Sequence, residues 1–253
     1  MMDRRIGAQL FTTRETCQDT EGFDSTLSRL AKIGYKTVQV SGVGPISSAD
    51  IRSICDKYGM EIICTHKDLK DYEDNMDEMI AFHKELGCKI PGLGMMVPLK
   101  DAESVDDVKA LIERLNKITR ALAAEGLSFC YHNHAFEFMK FDGKYIMDYM
   151  LELGEFDFIL DVYWLAYAGQ NPADFIRKIG KRAKVVHFKD LKMKANTSTF
   201  AEVMEGNLDW NAIISACDDA GTLAAMVEQD QCDGDPVDSL EISYNNLKKL
   251  GFN

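Results

Sequence analysis

Two patterns of hydrophobic and polar positions alternate along the chain. Stretches with the helical spacing of apolar residues end at a glycine eight times, and a short apolar run follows at once in seven of these cases. A glycine suits a helix end because, without Cβ, it enters the left-handed conformation at little cost. These glycines are Gly34, Gly59, Gly87, Gly126, Gly154, Gly180, Gly221 and Gly251. The repeated strand–helix units predict the α/β class and a (β/α)8 TIM barrel.

The apolar runs set the bounds of the predicted strands. They are Ile6–Phe11, Thr37–Val40, Glu61–Thr65, Lys89–Met95, Leu127–His132, Phe158–Leu160, Ala183–Phe188 and Ala224–Gln229. The fourth contains Pro91, which cannot donate a hydrogen bond to a neighbouring strand. No linker interrupts the series, so residues 1–253 are expected to form a single domain.

Helices are predicted between the strands. They are Phe23–Ile33, Ser48–Tyr58 with Ser48 as its cap, Met76–Leu86, Val105–Ala124, Lys144–Leu153, a helix that starts at Pro172, Trp210–Ala220 and Val237–Leu250. The segment Leu191–Asp209 shows neither period. It is longer than an ordinary loop, which makes it a candidate structureless lid.

Composition excludes several classes of partner. The length of 253 residues suits one barrel, and the net charge of −12, without a local cluster of Lys and Arg, argues against a nucleic-acid partner. No apolar run approaches the roughly 20 residues that cross a bilayer, so no membrane association is expected. Seven cysteines without CxxC spacing, and no signal peptide, favour reduced thiols and a cytoplasmic location. A homodimer is the general default.

Histidines cluster at the predicted strand ends. His83 lies within a helix and is expected at the surface, whereas His66, His132, His134 and His187 follow or end the third, fifth and seventh strands. Because catalytic side chains of such barrels lie at the C-terminal ends of the strands, these four are expected to share one rim.

A metal site is predicted at that rim. Asp161, His187 and Glu228 each end an apolar strand, and a carboxylate, an imidazole and a second carboxylate suit Mn²⁺, Co²⁺, Zn²⁺ or Mg²⁺. His132 is the expected fourth ligand. His134, which shares a strand face with it by the two-residue period, and Glu137 are the alternatives.

Further residues are candidates for contacts with a substrate. Lys189 follows His187 by two residues, so its ammonium could stabilise an enolate oxygen, with an exposed loop lysine as the alternative. Trp164 is expected to form an apolar wall under a sugar ring. Gln229 and Asp230 would support the metal ligands or contact the substrate. The remaining candidates are His66, Lys67 and Glu137.

Six segments together resemble a known family, the sugar phosphate isomerases/epimerases, or xylose isomerase-like TIM barrels, over nearly the whole chain. They are Ile6–Phe11 (IGAQLF), Tyr131–Phe138 (YHNHAFEF), Leu160–Trp164 (LDVYW), His187–Lys192 (HFKDLK), Glu205–Trp210 (EGNLDW) and Val227–Asp230 (VEQD). The resemblance implies a divalent metal held by a glutamate, an aspartate, a histidine and a glutamate from strands five to eight. Asp161, His187 and Glu228 match the last three positions.

Two positions depart from the family pattern. His132 stands where the strand-five glutamate is usual, and Gln39 stands where a strand-two glutamate is frequent. In the family's epimerases two glutamates exchange the substrate proton on opposite faces of the sugar. Here Glu228 alone could do so as a carboxylate, and the histidines His66, His132 and His134 are the other candidates for proton transfer.

The resemblance and the strand-end residues together predict a divalent-metal-dependent sugar isomerase or epimerase. It would act on a small keto-sugar or polyol through an enediolate, with Glu228, His132, His134 and Lys189 as the catalytic group. The alternative is an inosose dehydratase-like or 3-keto-sugar lyase that uses the same metal site. A non-catalytic sugar-binding barrel is a further alternative. No phosphate-cradling glycine loop is evident, which favours an unphosphorylated substrate.

Overall fold

Eight parallel strands form one sheet that is nearly closed into a barrel. A computed structural model describes residues 1–253. The strands are β1 (Ile6–Gln9), β2 (Thr37–Val40), β3 (Glu61–Thr65), β4 (Gly92–Leu93), β5 (Cys130–His132), β6 (Asp157–Asp161), β7 (Ala183–Phe188) and β8 (Ala224–Val227). They pair in the order β3-β2-β1-β8-β7-β6-β5-β4. The predicted TIM barrel and single domain are therefore confirmed.

The barrel has one weak seam, between β3 and β4. These strands meet only at the isolated bridges Cys64–Ile90 and Lys67–Leu93, whereas the other neighbours pair in parallel ladders. β4 is two residues long, much shorter than the predicted Lys89–Met95. Pro91, directly before β4, has no N–H to donate to a neighbouring strand, so the regular pairing of β4 does not extend to residue 91.

Helices surround the sheet and bury their apolar faces against it. They are α1 (Thr20–Ile33), α2 (Ser48–Lys57), α3 (Leu69–Asp74), α4 (Met76–Leu86), α5 (Val105–Ala124), α6 (Ile146–Leu153), α7 (Val162–Tyr167), α8 (Pro172–Ile179), α9 (Trp210–Ala220) and α10 (Pro236–Lys248). The main core of 63 buried residues includes the outward strand faces and the helix faces packed on them. No helix is both long and apolar enough to cross a membrane.

A second, small core fills the barrel interior. It contains Cys64, Ile90, Cys130, Ile159, Val185, Ala224 and Met226. Along a strand, side chains two residues apart point to the same face. The residues two positions after Cys130, Ile159, Val185 and Met226 therefore also point inward, one layer nearer the C-terminal mouth.

Several predictions about local structure are wrong. The segment Leu191–Asp209 is not a structureless lid, because Asp190–Lys194 and Thr197–Ala201 pair as an antiparallel hairpin, the 190–201 hairpin. Ser47, not Ser48, caps α2, since its Oγ accepts the N–H of Asp50. Gly154 has φ −79° and is not left-handed, unlike the other seven helix-ending glycines.

His83 is not at the surface. It is fully buried between α4 and β3, where Nδ1 lies 2.6 Å from the carbonyl oxygen of Met79 and Nε2 lies 2.7 Å from Thr65 Oγ1. The helical pattern marks this face of α4 only weakly as apolar. Two satisfied hydrogen bonds make the imidazole acceptable in the core.

Candidate active site

Four inward residues converge at the C-terminal mouth of the barrel. His132, Asp161, His187 and Glu228 each lie two positions after a residue of the inner core. One potential ligand atom from each lies within 4.8 Å of the other three, and all four side chains are buried. Strands far apart in sequence thus place two imidazoles and two carboxylates around a common point.

The hydrogen-bonding state of these atoms fits a cation. His132 Nδ1 and the neighbouring His66 Nε2 are buried and have no hydrogen-bond partner, and Asp161 Oδ2 accepts no hydrogen bond but lies 3.2 Å from the ammonium of Lys189. Buried polar atoms without partners are rare because they lose their hydration without compensation. Lone pairs on nitrogen and carboxylate oxygen, gathered in this way, form a donor set that a divalent ion would satisfy.

His187 is held in one orientation by both ring nitrogens. Nδ1 lies 2.9 Å from Glu228 Oε2, and Nε2 lies 2.7 Å from Oε1 of Gln39, the residue at the glutamate-like position of β2. The amide oxygen of Gln39 accepts a hydrogen bond from the Nε2–H group, and Nδ1 is the nitrogen that faces the carboxylates. Burial opposes a charged ring, but Glu228 and Asp161 outweigh it and raise the pKa of His187 to about 9.

Lys189 is a buried cation among three carboxylates, not an exposed loop lysine. Its Nζ lies 2.6 Å from Asp230 Oδ1 and 3.2 Å from both Asp161 Oδ2 and Glu228 Oε2. The side chain is 1% exposed. Burial lowers the pKa of an ammonium, but the three carboxylates raise the pKa of Lys189 well above its usual value. The site therefore keeps a permanent positive charge.

The pKa values of Glu228 and Asp230 are shifted in opposite directions, although Lys189 lowers both. Burial raises the pKa of a carboxyl, but Lys189 and His187 hold the pKa of Glu228 well below its usual range. Burial and the nearby Glu228 carboxylate raise the pKa of Asp230 to about 6, against the opposing effect of Lys189. Glu228 is thus ionised, and it shares its negative charge with Lys189 and His187.

Three imidazoles form the other side of the site. The ring centroids of His66, His132 and His187 lie 4.6 to 5.4 Å apart, and one nitrogen from each lies within 4.8 Å of the other two. Burial, together with neighbouring positive groups, keeps the pKa of His66 and of His132 well below the usual value. These two rings are therefore neutral near pH 7.

A cavity of about 840 Å³ opens above the four converging residues. Its lining includes eight of the predicted candidates: His66, Lys67, His132, His134, Trp164, Lys189, Glu228 and Asp230. Asp161 and His187 are fully buried and do not line it. The cavity is large enough for a small polyhydroxylated molecule, and Trp164 and Phe136 give it apolar walls.

His134 lines the cavity but lies outside both groups of potential ligands. β5 ends at His132, so the two-residue period that would bring His134 to the ligand position stops there. Its ring lies 5.5 Å from the rings of Trp164 and Phe136, and Nδ1 has no partner. Burial lowers the pKa of His134 to about 4.

Glu137 and Gln229, two further candidates for contacts with a substrate, do not line the cavity. Glu137 accepts hydrogen bonds from the Tyr131 hydroxyl at 2.6 Å and the His134 backbone N–H at 2.9 Å, which turns it away from the ligand group. Burial raises its pKa to about 7. Gln229 donates from Nε2 to the backbone oxygen of Gln231. Both residues support the loops that carry other site residues.

Two basic residues of the cavity have no counterpart in the sequence-based candidates. Arg14 lies in the 3-10 helix Leu10–Thr16, of which only the first two residues belong to the predicted first strand, and donates to the backbone oxygen of Asp230. Lys100 lies in the 3-10 helix Val97–Asp101. Neither follows a strand end, so the strand-end signal that identifies the other residues does not reach them.

The fold and the site together define a class: a (β/α)8 barrel that gathers histidines and carboxylates at the C-terminal ends of its strands. The chain belongs to the xylose isomerase-like TIM barrel family, whose model matches residues 27–249. Among curated relatives, an inosose dehydratase of Clostridium beijerinckii is 22% identical over 271 residues, which cover 91% of this chain and 90% of the relative.

Solved structures share the fold. A sugar phosphate isomerase/epimerase from Parabacteroides distasonis has a TM-score of 0.77 at 24% identity, over 95% of this chain and 92% of its own. A probable 3-DHS dehydratase from Bacillus anthracis has a TM-score of 0.75 at 12% identity, over 98% of this chain and 99% of its own. At these identities the similarity establishes the architecture.

Proposed function

We propose that this protein is a metal-dependent dehydratase that removes water from a small polyhydroxylated ketone of the inosose or keto-sugar type. The observation that carries the proposal is the convergence of His132, Asp161, His187 and Glu228 beneath a cavity lined by Lys189 and His134. Relatives named inosose dehydratase, matched over nearly their full length, support the same reaction.

His132, Asp161, His187 and Glu228 would hold the divalent ion. When bound there, such an ion supplies Lewis acidity, which polarises a substrate carbonyl and acidifies the neighbouring C–H bond. Asp161 and Glu228 would supply two negative charges to the ion, and the ammonium of Lys189, which contacts both, could then remain paired with Asp230.

Lys189 and His134 would act on the substrate itself. Loss of the α-proton leaves negative charge on the carbonyl oxygen, and the buried ammonium of Lys189 stabilises charge at that place without reorganisation. His134 takes the α-proton on its unpartnered ring nitrogen and returns it to the β-hydroxyl. The C–O bond then breaks, water leaves, and the ring is again neutral.

Elimination fits this site because a single residue can serve as base and then as acid. Epimerisation instead needs two groups on opposite faces of the substrate. The carboxylate available for that purpose, Glu228, is paired with both Lys189 and His187. The substitution of histidine for glutamate at position 132 removes the second carboxylate.

An isomerase or epimerase is the second candidate. The observation in its favour is the neutral imidazole side of the cavity, where His66 follows β3, three strands away from the strand β8 that precedes Glu228. A proton removed on one side could then be returned on the other.

The test is turnover of a panel of inososes and keto-sugars in D₂O with Mn²⁺ or Co²⁺, followed by NMR. The proposal expects loss of water and a new enone or diketone, and at least a 100-fold lower rate in His134→Gln. Lys194→Met, at the exposed end of the 190–201 hairpin, is the control and should keep full activity. Exchange of deuterium at an α-carbon without water loss would establish the second candidate, and no reaction with any ketone would refute both.

A further inference from the structure

The imidazole side of the site has more donor atoms than the four-residue group uses. His66, His132 and His187 form a second group of potential ligands, which shares two members with the first. His66 Nε2 and His132 Nδ1 are both buried without a partner, and Nδ1 of His66 has one contact, 3.4 Å from Gln9 Nε2. The side of the site where His66, His132 and His187 come together therefore holds two buried nitrogens with nothing to satisfy them.

The neighbouring strand is shaped around the His66 ring. A Cβ on Gly94 would lie 3.2 Å from Cβ of His66, and a Cβ on Gly92 would lie 3.2 Å from its Cδ2 and 2.3 Å from the backbone oxygen of Thr65. A side chain at either position would crowd His66, and at Gly92 it would also collide with the backbone of β3. The orientation of His66 toward His132 is thus built into β4.

The oxygen donors are in a different situation from the nitrogens. Asp161 Oδ2 and Glu228 Oε2 each lie 3.2 Å from the ammonium of Lys189, and Glu228 also contacts His187. An ion that relies on oxygen ligands must compete with Lys189 for both carboxylates. An ion that binds imidazole meets no competitor at His66 and His132.

We propose that His66 is a further metal ligand, so that three histidines hold the ion and make the site selective for a borderline transition metal such as Co²⁺ or Zn²⁺ over Mg²⁺. Imidazole nitrogen suits Zn²⁺ and other late first-row ions, whereas Mg²⁺ prefers carboxylate and water oxygens. The proposal rests on the ion site of the proposed function. It adds both a ligand and a choice of metal to that site.

The experiment is calorimetric titration of chelator-treated protein with Co²⁺, Zn²⁺, Mn²⁺ and Mg²⁺, without substrate, together with the visible absorption spectrum of bound Co²⁺. His66→Asn should weaken Co²⁺ binding at least about tenfold and alter the Co²⁺ spectrum, with a smaller change for Mg²⁺. His132→Glu, which restores the family's glutamate, should lower the ratio of Co²⁺ to Mg²⁺ affinity by about tenfold or more.

His134→Asn is the matched control, because His134 lines the same cavity but lies outside both ligand groups. It should change the Co²⁺ affinity by less than about threefold and leave the Co²⁺ spectrum unshifted. An unchanged Co²⁺ affinity and spectrum in His66→Asn, or an unchanged affinity ratio in His132→Glu, would overturn the proposal. Because no substrate is present, these results are independent of turnover. A selective site without dehydratase activity would refute the proposed function and leave this inference standing.

Discussion

The ammonium of Lys189 and the ion proposed for this site compete for the same oxygens. Lys189 Nζ contacts Asp161 Oδ2, Glu228 Oε2 and Asp230 Oδ1, and the rings of Trp164 and Phe200 lie within 5.3 Å of it. Removal of one partner from a buried ionic group leaves uncompensated charge, which is far more costly than the net value of the group. A neutral side chain at position 189 therefore has opposite effects on ion binding and on catalysis.

Lys189→Met should bind Mn²⁺ and Co²⁺ more tightly than the natural chain, because its carboxylates have lost their competing cation. Turnover should fall at least about 100-fold, because the charge that stabilises the oxyanion is gone. Calorimetry and steady-state kinetics would measure the two effects. Without a divalent ion the thermal midpoint should fall, and it should recover when the ion is added. Weaker ion binding in this variant would contradict the account of Lys189 as a competitor.

His83 makes stability depend on pH, although it lies away from the cavity. Burial lowers its pKa to about 4, whereas an unfolded histidine titrates near its ordinary value of 6.5. Between these values the unfolded chain binds the extra proton, so stability falls as pH decreases from 6.5 to 4. The loss is on the order of 3 kcal/mol when fully developed.

His83→Gln should therefore lose less stability than the natural chain over that interval. Glutamine can still bond to Thr65 and to the Met79 carbonyl but cannot titrate. Urea unfolding at pH 7 and at pH 4.5 would give the two free energies. The other buried histidines contribute equally to both proteins and cancel in the comparison. Parallel pH profiles would show that folding leaves the pKa of His83 unchanged.

At the scale of elements, one carboxylate organises the segment between β7 and α9. Asp190 is buried and accepts from the backbone N–H groups of Leu191, Met204, Gly206 and Leu208 and from Trp210 Nε1. A Cβ on Gly206 would lie 2.3 Å from Asp190 Oδ1, so the backbone approaches as closely as glycine permits. The 190–201 hairpin is anchored in this way at its base.

Asp190→Ala should destabilise the protein by about 3 kcal/mol or more, because it leaves several buried donors without an acceptor. Asp209→Ala is the matched control from the same segment. Asp209 accepts from the N–H of Ala212 as the cap of α9, and its loss should cost about 1 kcal/mol. Chemical unfolding would measure both. A loss at Asp190 no larger than at Asp209 would show that the five hydrogen bonds do not act together.

An element can be predicted from the sequence when the residues that fix it lie within the element or next to it. β7, α5 and α9 have the predicted bounds. The two helices are strongly periodic and follow the capping residues Ser104 and Asp209. The 190–201 hairpin was missed because the contacts that fix it come from residues 204–210, outside the local pattern. For the site, the two-residue strand period predicts the inward orientation of Asp161, His187 and Glu228. That period cannot predict that Arg14 and Lys100 line the cavity or that Glu137 turns away from it, because these positions depend on the paths of loops.

At the scale of the whole molecule, the seven thiols report on the integrity of the packing. Six cysteines are buried and only Cys232 is partly accessible. Burial raises the pKa of Cys55, Cys88 and Cys217 to about 12, so these thiols are neutral and unreactive in the folded chain.

A thiol reagent such as DTNB should therefore modify one cysteine per folded chain, and all seven after unfolding in guanidinium chloride. Cys232→Ser should remove the native reaction. In the natural chain, the Cys232 thiol should react more slowly than a free thiol, because it is partly buried and burial raises its pKa. Rapid modification of two or more thiols in the native protein would indicate a looser interior than the structure describes.

The seam between β3 and β4 makes the two halves of the barrel mouth mechanically unequal. Asp161, His187 and Glu228 lie at the ends of strands that are joined to each other by parallel ladders, whereas His66 and Lys67 follow β3, which is joined to β4 at two isolated bridges. Separation of β3 from β4 breaks few backbone hydrogen bonds and therefore costs little. We expect the strand ends that carry Asp161, His187 and Glu228 to keep their positions when the part of the mouth that carries His66 and Lys67 moves.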